Sequence, residues 1–231
     1  MKAMILAAGR GERMRPLTDT VPKPLLEVGG KPLIVYHLEA LAAVGIKEVV
    51  INIAYLGQHI REYLGDGSHW GLTVFYSEEP EPLETAGALL HAMPLLGETP
   101  FVLINGDVWT DFPLSQLMAS SLDDVLGRLI LVSNPEHNPQ GDFCLSDQSL
   151  VMQKSSVPQR HSYTFSGIGV FSPDIIHGYP DKRRIFPLRE VFAHAIARQQ
   201  LSGEVYCGQW WDVGTPERLQ MLDSLLLAGK V

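Results

Sequence analysis

The stretch that decides the fold is residues 2–18, KAMILAAGRGERMRPLT. The apolar run at residues 2–8 predicts a β-strand that is buried on both faces, as in a sheet covered by helices on each side. A loop rich in glycine and arginine follows this strand directly. Because open α/β sheets bind their ligands beyond the carboxyl ends of the strands, this loop lies where a ligand is expected.

Strands and helices alternate along the first 110 residues. Pro32 opens a helical pattern, and Gly45 is placed to end it. The remaining predicted elements in this half are strands at residues 49–53, 72–76 and 101–104 and helices at residues 57–64 and 86–92. This alternation predicts βαβ crossovers and a Rossmann-like α/β fold, with a mostly parallel sheet and helices on both faces.

The second half of the chain has a less regular pattern. The predicted elements are strands at 128–132 and 165–171, a hairpin at 144–145 and 150–152, and helices at 187–199 and 215–227. Thr215 and Pro216 are typical of an N-cap and a first helical position. Residues 1–231 are therefore predicted to form one domain, with a nucleotide-type half at about 1–110 and an accessory half at about 111–231.

Charge and cysteine content exclude several classes of protein. The net charge of −8 argues against a general binder of nucleic acid or anionic membranes. Residues 1–31 nevertheless carry six basic and three acidic residues, which indicates a local site for a small anion. The chain has two cysteines, no disulfide framework and no apolar run of about 18 residues, which favours a soluble, cytoplasmic protein. No sequence feature implies an obligate protein partner.

The loop after the first strand has the residue types of a phosphate-binding site. Glycines such as Gly9 and Gly11 let backbone N–H groups approach phosphate oxygens, and Arg13 and Lys23 add positive charge. The loop lacks the third glycine of a dinucleotide fingerprint, and the chain contains no P-loop motif. A glycine-rich turn with solvent-exposed arginines is the alternative interpretation.

Two aspartates follow apolar segments and could face this loop. Asp107 ends the segment LINGD, and Asp212 lies in WWDVGT before the capped helix. One or two carboxylates together with substrate phosphates form the usual Mg²⁺ site, although each aspartate could equally be a turn or loop residue. The eight histidines form no zinc-binding pair, and no G-x-S-x-G motif indicates a hydrolase nucleophile.

Several segments together resemble the sugar-1-phosphate nucleotidyltransferases. They are LAAGRGERMRPLT at 6–18, PKPLL at 22–26, GKPLI at 30–34, LETAG at 83–87, NGD at 105–107 and WDVGT at 211–215. Within that family the chain most resembles the N-acetylmuramate α-1-phosphate uridylyltransferases of cell-wall recycling, through further segments such as NGDVWTD at 105–111 and GDF at 141–143. The resemblance implies a glycosyltransferase-A-like fold with a smaller mixed α+β sugar-binding part.

The resemblance also implies a reaction, in which UTP and a sugar 1-phosphate give UDP-sugar and pyrophosphate. The implied catalytic residues are Arg13, Lys23 and Asp107, and the implied Mg²⁺ ligands are Asp107 and Asp212. The implied nucleotide-binding residues are Ala7, Ala8, Gly9, Gly11, Glu12, Arg13, Lys23, Glu79 and Thr85. The implied sugar-side residues are Asn105, Gly141, Asp142 and Lys154.

Two positions depart from the common family pattern. Gln153 precedes Lys154 where many relatives have glutamate, and Glu84 replaces a glycine in the loop that faces the base. The alternatives to a uridylyltransferase are a thymidylyl- or guanylyltransferase acting on another hexose 1-phosphate and a nucleotide-sugar sensor that binds without reacting.

Overall fold

The structure is a computed structural model that describes residues 1–119, 121–157 and 159–231. Its strands, numbered along the chain, are β1 (Lys2–Leu6), β2 (Glu27–Val28), β3 (Lys31–Pro32), β4 (Glu48–Ile53), β5 (Thr73–Glu78), β6 (Phe101–Asn105), β7 (Val108–Thr110), β8 (Gly127–Val132), β9 (Phe143–Leu145), β10 (Val151–Gln153), β11 (Ser162–Phe171), β12 (Leu201–Tyr206) and β13 (Trp210–Asp212). Its helices are α1 (Leu33–Ala43), α2 (Gly57–Leu64), α3 (Glu84–Leu96), α4 (Ser115–Met118), α5 (Asp174–His177), α6 (Leu188–Ala197) and α7 (Pro216–Leu227).

One mixed sheet forms the centre of the molecule. Strands β5, β4, β1 and β6 are parallel neighbours in that order, and β11 pairs antiparallel with β6. Strand β8 then pairs antiparallel with β11 and parallel with β12, so β11 alone reverses direction in this row of described strands. The β9–β10 hairpin extends from the first residues of β11. The predicted mostly parallel sheet is confirmed, and strands from both halves of the chain share it.

Helices cover both faces of the sheet because its central strands are apolar on both sides. In β1, the buried side chain of Met4 packs with α3, α5 and α6, whereas those of Ala3 and Ile5 pack with α1, α2 and α4. Alternate residues of a strand point to opposite faces, so a continuous apolar strand contributes side chains to the hydrophobic core on each face of the sheet. The apolar character of residues 2–8 is thereby explained.

Helix α7 returns to the N-terminal segment. It begins as predicted, with the Thr215 side chain accepting a hydrogen bond from the backbone N–H of Arg218. Its Leu219 and Leu222 lie in a third apolar cluster with Met14 and Leu26. The C-terminal helix therefore supports the loop that follows β1.

The structure corrects several predicted boundaries. The first strand ends at Leu6, and the third helix spans Glu84–Leu96, with Pro94 in its last turn. Strands β7, β12 and β13 were not predicted. The three-residue strands are too short for a periodic signal, and β12 carries Ser202, Gly203 and Glu204 among its apolar residues. No helix of the described residues is long and apolar enough to cross a membrane.

A buried histidine of α1 should make folding stability depend on pH. Burial lowers the pKa of His37 from its ordinary value to about 4, against smaller opposing effects of a Val108 backbone hydrogen bond and the Asp107 charge. The folded protein therefore keeps this ring neutral, while the unfolded chain takes up a proton as pH falls below about 6.5. Stability is lost progressively from there until about pH 4, where the folded protein binds the proton too.

The test compares urea unfolding of the wild type and His37→Leu between pH 7.5 and pH 4. At 1.36 kcal/mol per pKa unit, the wild type should lose up to about 3 kcal/mol relative to the leucine variant over this range. His59→Ala, which removes an exposed histidine, is the control and should follow the wild type. Parallel pH profiles for the wild type and His37→Leu would contradict this account.

Candidate active site

A cavity of about 760 Å³ opens at the carboxyl edge of the parallel strands. Leu6, Asn52, Glu79 and Asn105, which lie at or just beyond the ends of β1, β4, β5 and β6, all border it. The cavity is also lined by other predicted nucleotide-binding residues, namely Ala7, Ala8, Gly9, Gly11, Glu12, Arg13, Lys23 and Thr85, and by Asp107, a predicted catalytic residue and metal ligand. The structure thus brings every predicted nucleotide-binding residue to one place.

The loop after β1 folds as three successive 3₁₀ turns, at residues 12–14, 17–19 and 23–25. The first turn depends on Gly11, whose backbone is left-handed with φ 62° and whose Cα faces the Thr18 methyl group. Any added Cβ would lie 2.8 Å from that methyl group, so a larger residue does not fit. The Thr18 hydroxyl donates to the Gly11 carbonyl oxygen at 2.8 Å and closes the loop.

Three cations of this loop differ in how they are held. Arg10 and Arg13 are exposed at the cavity and make no ion pair or side-chain hydrogen bond within the described part of the chain. Lys23 is 9% exposed, and its Nζ lies 2.6 Å from Asp107 Oδ2. An anion entering the cavity therefore meets two unpaired guanidinium groups and one ammonium group fixed at its wall.

Asn52 and Glu79 form a buried hydrogen-bonded chain on the opposite wall. The Ala7 N–H donates to Asn52 Oδ1 at 2.7 Å, and the Asn52 amide donates to Glu79 Oε1 at 2.6 Å. The other carboxylate oxygen of Glu79 accepts from the Leu83 N–H at 3.2 Å. This chain joins the end of β1 to the start of α3 and so fixes the width of the cavity.

The start of α3 carries Glu84 and Thr85. The Thr85 hydroxyl accepts from the Leu188 N–H at 2.8 Å, which ties this wall to α6. Glu84 has a left-handed backbone with φ 58°, a conformation that costs a residue with a Cβ about 1–2 kcal/mol. The position where Glu84 departs from the family pattern is therefore one whose backbone favours glycine.

The two aspartates converge because short strands β7 and β13 pair. Asp212 lies opposite Val108 in this antiparallel pair, and the Val213 N–H donates to the Asp107 carbonyl oxygen at 2.9 Å. Asp111 secures the pairing, since its Oδ1 accepts from the Gln209 N–H at 2.7 Å and from the Tyr206 hydroxyl. Burial, reinforced by the Asp111 carboxylate, raises the pKa of Tyr206 well above its ordinary value. The phenol therefore remains protonated and able to donate this bond.

The carboxylates of Asp107 and Asp212 suit a hard cation. In each, Oδ2 has a cationic or imidazole partner, and Oδ1 accepts no hydrogen bond from the residues that the structure describes. Gly214, which borders the cavity, lies against Asp212 Oδ1, because a Cβ there would come within 3.1 Å of that oxygen. No group of three or more potential ligands converges within the described ranges, which leaves substrate oxygens to complete a Mg²⁺ shell.

The predicted sugar-side residues fall into two places. Asn105 borders the cavity, whereas Gly141, Asp142 and Lys154 lie together beside β9 and β11, outside its lining. Both carboxylate oxygens of Asp142 already accept bonds, from the Phe165 N–H at 2.8 Å and the Asn138 amide at 3.1 Å. Lys154 donates to the Gly141 carbonyl oxygen, so these three residues brace one segment of chain.

Sequence reasoning missed several residues of the site, among them Asn52, Gly106, Gly214 and His137. Asn52 interrupts the apolar run at the carboxyl end of a predicted strand, which is a signal that could have been used. The glycines flank the predicted acids, and both border the cavity. His137 lies in an irregular loop and carries no sequence signal.

Comparison with known proteins gives a consistent result. The nucleotidyl transferase family model matches residues 2–227. The chain is 48% identical to the N-acetylmuramate alpha-1-phosphate uridylyltransferase of Neisseria meningitidis serogroup B, with all of both proteins covered. It is 30% identical to the catalytic subunit beta of mannose-1-phosphate guanylyltransferase from Drosophila melanogaster, over 94% of this chain and 60% of that protein.

A solved structure shares the fold. A protein from Bacillus anthracis, assigned as a glucose-1-phosphate thymidylyltransferase and solved with sucrose, superposes with a TM-score of 0.85 and 23% identity. The match covers 98% of this chain and 95% of that one, which confirms the predicted fold class.

The left-handed backbone of Glu84 predicts that glycine is more stable than alanine at this position, which reverses the usual order in a helix. In an ordinary helical position, alanine is more stable than glycine by about 1 kcal/mol. At φ 58° the order should reverse, with Glu84→Gly more stable than Glu84→Ala by about 1 kcal/mol, because only glycine lacks the Cβ clash.

Both variants lose the same carboxylate, so comparing their urea unfolding isolates the backbone effect. Gln199 also has a positive φ, of 56°, and Gln199→Gly against Gln199→Ala provides a matched pair away from the cavity. A more stable alanine variant at residue 84 would show that the turn is not strained.

Proposed function

Because this chain belongs to the nucleotidyl transferase family, we propose that it transfers a uridylyl group from UTP to N-acetylmuramate α-1-phosphate in a Mg²⁺-dependent reaction. The products are the UDP-sugar and pyrophosphate. The choice of base and sugar rests on the relative of equal extent that is 48% identical. The observation that carries the chemistry is that Arg13, Lys23 and Asp107 line one cavity, while strand pairing places Asp212 next to the Asp107 segment.

The reaction needs no general base. The attacking group is a phosphate oxygen that is already ionised at neutral pH, so catalysis consists of aligning two polyanions and stabilising the charge of the transition state. The backbone N–H groups of Gly9 and Gly11, with Arg13, are suited to the triphosphate. Lys23, fixed at the wall by Asp107, is suited to the phosphate that is transferred.

Asp107 and Asp212 are the proposed ligands of Mg²⁺, each through its Oδ1. When bound, the ion would neutralise negative charge on the triphosphate and on the pyrophosphate leaving group. Two carboxylates are enough for Mg²⁺ when phosphates and water supply the remaining oxygens. The two carboxylates themselves place negative charge beside the loop formed by residues 9–25.

The nucleoside is proposed to lie between the loop after β1 and the start of α3. Ala7 and Ala8 offer small side chains there, and Glu79 and Thr85 offer polar groups held by Asn52 and Leu188. Glu12 borders the same cavity near the triphosphate. A rigid, hydrogen-bonded wall favours discrimination between bases, since unpaired polar groups penalise a wrong base.

The sugar is proposed to bind at Asn105 and along the segment braced by Gly141, Asp142 and Lys154. Because the Asp142 carboxylate is already hydrogen-bonded, its contribution would be to hold this segment in place. We further propose that residues 1–231 act as one domain in the cytoplasm, which agrees with two unpaired cysteines, Cys144 and Cys207.

Substrate identity is tested with ATP, CTP, GTP, UTP and dTTP against a set of sugar 1-phosphates, by measuring pyrophosphate release with Mg²⁺. UTP with N-acetylmuramate α-1-phosphate should give the highest kcat/KM. Preference for GTP or dTTP would favour the guanylyl- or thymidylyltransferase alternative. UTP binding in calorimetry without turnover of any pair would favour the sensor.

The charge-stabilising groups are tested with Lys23→Met and Asp107→Asn. Each variant should lower kcat by about a hundredfold or more, because each removes one charge that is preorganised for the transition state. Lys47→Met is the matched control, since Lys47 is exposed and precedes β4 at the edge of the sheet opposite the cavity. A kcat within threefold of the wild type for either active-site variant, with an unchanged melting temperature, would refute the assigned roles.

A further inference from the structure

The Asp212 carboxylate is held from two sides. Arg218, in the first turn of α7, places Nη1 3.0 Å from Asp212 Oδ2. His137, from the loop that joins β8 to β9 at residues 133–142, places Nε2 3.0 Å from the same oxygen. Two segments that are distant in the chain, residues 212–218 and the loop at residues 133–142, therefore meet at one oxygen atom.

Two side-chain nitrogens, each 3.0 Å from Oδ2, restrict the rotation of the carboxylate. With Oδ2 next to His137 and Arg218, Oδ1 lies close to Gly214, which borders the cavity, and has no hydrogen-bond donor in the described portions of the chain. A metal ligand works best when outer partners hold its other atoms, because the ligand then loses little rotational freedom on binding. The His137 contact therefore has the geometry of such an outer partner.

The loop at residues 133–142 is rigid enough to give this contact a fixed position. The Asn134 amide donates to the Ser162 carbonyl oxygen at 3.1 Å, and the Asn138 amide donates to the Thr164 hydroxyl at 3.2 Å. These bonds anchor the residues on both sides of His137 to β11. The loop also contains Gly141 and Asp142, so the segment beside the sugar and the partner of Asp212 belong to one braced unit.

A surface ion pair is the competing explanation. The His137 side chain is 38% exposed, and pairs at this exposure contribute little to stability. In that case, removing the ring would leave both the fold and the site unchanged. A positioning role predicts instead that the site alone changes while stability stays the same.

We propose that His137 is a positioning residue, whose Nε2, 3.0 Å from Oδ2, orients Asp212 for a divalent cation. The proposal rests on the function assigned to Asp212 above. His137 itself contacts neither the ion nor the substrates. Its loop joins the cation site to the sugar side of the protein.

The experiment measures binding of Mn²⁺ alone to the full-length protein, by the electron paramagnetic resonance signal of the free ion. His137→Ala should weaken binding about tenfold, at the low end of the loss that follows removal of an outer partner of a metal ligand. His137→Gln places an amide donor near the position of Nε2 and should bind within about twofold of the wild type. His59→Ala controls for the loss of an exposed histidine elsewhere.

Two further readouts separate positioning from a general structural effect. The melting temperature of His137→Ala should remain within about 2 °C of the wild type, as expected for loss of an exposed pair. The Mg²⁺ concentration for half-maximal rate should rise in parallel with the Mn²⁺ dissociation constant, while KM for the sugar phosphate stays constant. If His137→Ala is less stable than this, His137→Phe replaces it, because phenylalanine keeps the ring and lacks the donor.

Two results would overturn the proposal. Equal Mn²⁺ affinity in the wild type and the donor-free variant would overturn it. Binding by His137→Gln as weak as by His137→Ala would also overturn it, because the imidazole would then act as more than a hydrogen-bond donor. If the wild type transfers no nucleotide, the assigned reaction fails, but the Mn²⁺ comparison still tests the role of His137.

Discussion

Pairing between β7 and β13 is the constraint on which the site depends. Asp107 and Asp212 are far apart in the chain, yet the bond from the Val213 N–H to the Asp107 carbonyl oxygen holds their backbones together at 2.9 Å. Carboxylates on neighbouring paired strands repel one another, and such repulsion is tolerated where cations compensate it. Lys23 beside one acid and Arg218 beside the other provide that compensation in the free protein. The arrangement is thus stable before any substrate binds, and it retains oxygen atoms that can accept a divalent ion.

An acidic protein can bind two polyanions because the electrostatic field at the cavity is set by the charges near it and not by the net charge. The chain carries a net charge of −8, but Arg10 and Arg13 of the loop after β1 face the cavity without partners among the described residues. At a wall of low dielectric constant, nearby charges outweigh the screened charge of the distant surface. The Lys23–Asp107 pair adds a second property, since it keeps a long flexible side chain at the position proposed for the transferred phosphate. The entropy of ordering Lys23 is therefore spent on folding and not on substrate binding.

The sequence predicted those parts of the fold and site that depend on local patterns. The helix Gly57–Leu64 has the predicted bounds, and the hairpin of β9 and β10 lies where the alternation placed it. The glycine-rich loop was assigned to the cavity from its position after a buried strand, and the nucleotide-side residues do border that cavity. What escaped prediction was long-range pairing, as in β7 with β13, and side chains such as Asn52 and His137 whose roles arise from partners remote in sequence. Local pattern carries no information about such partners, whereas motif resemblance supplied Asp212 without explaining its position.

The sugar-side residues illustrate the difference between belonging to a site and touching a ligand. Asp142 was expected near the sugar, but its two oxygens accept from Phe165 and Asn138, and satisfied oxygens of this kind gain little from a further donor. The Asp142 carboxylate instead holds the loop at residues 133–142 in place, because a charged acceptor strengthens both hydrogen bonds. The same loop places His137 next to Asp212. A substitution at Asp142 would therefore alter the proposed cation site through the backbone between Asp142 and His137. The loop at residues 133–142 therefore has two proposed roles, since it carries residues assigned to the sugar side and also supports Asp212, the proposed cation ligand.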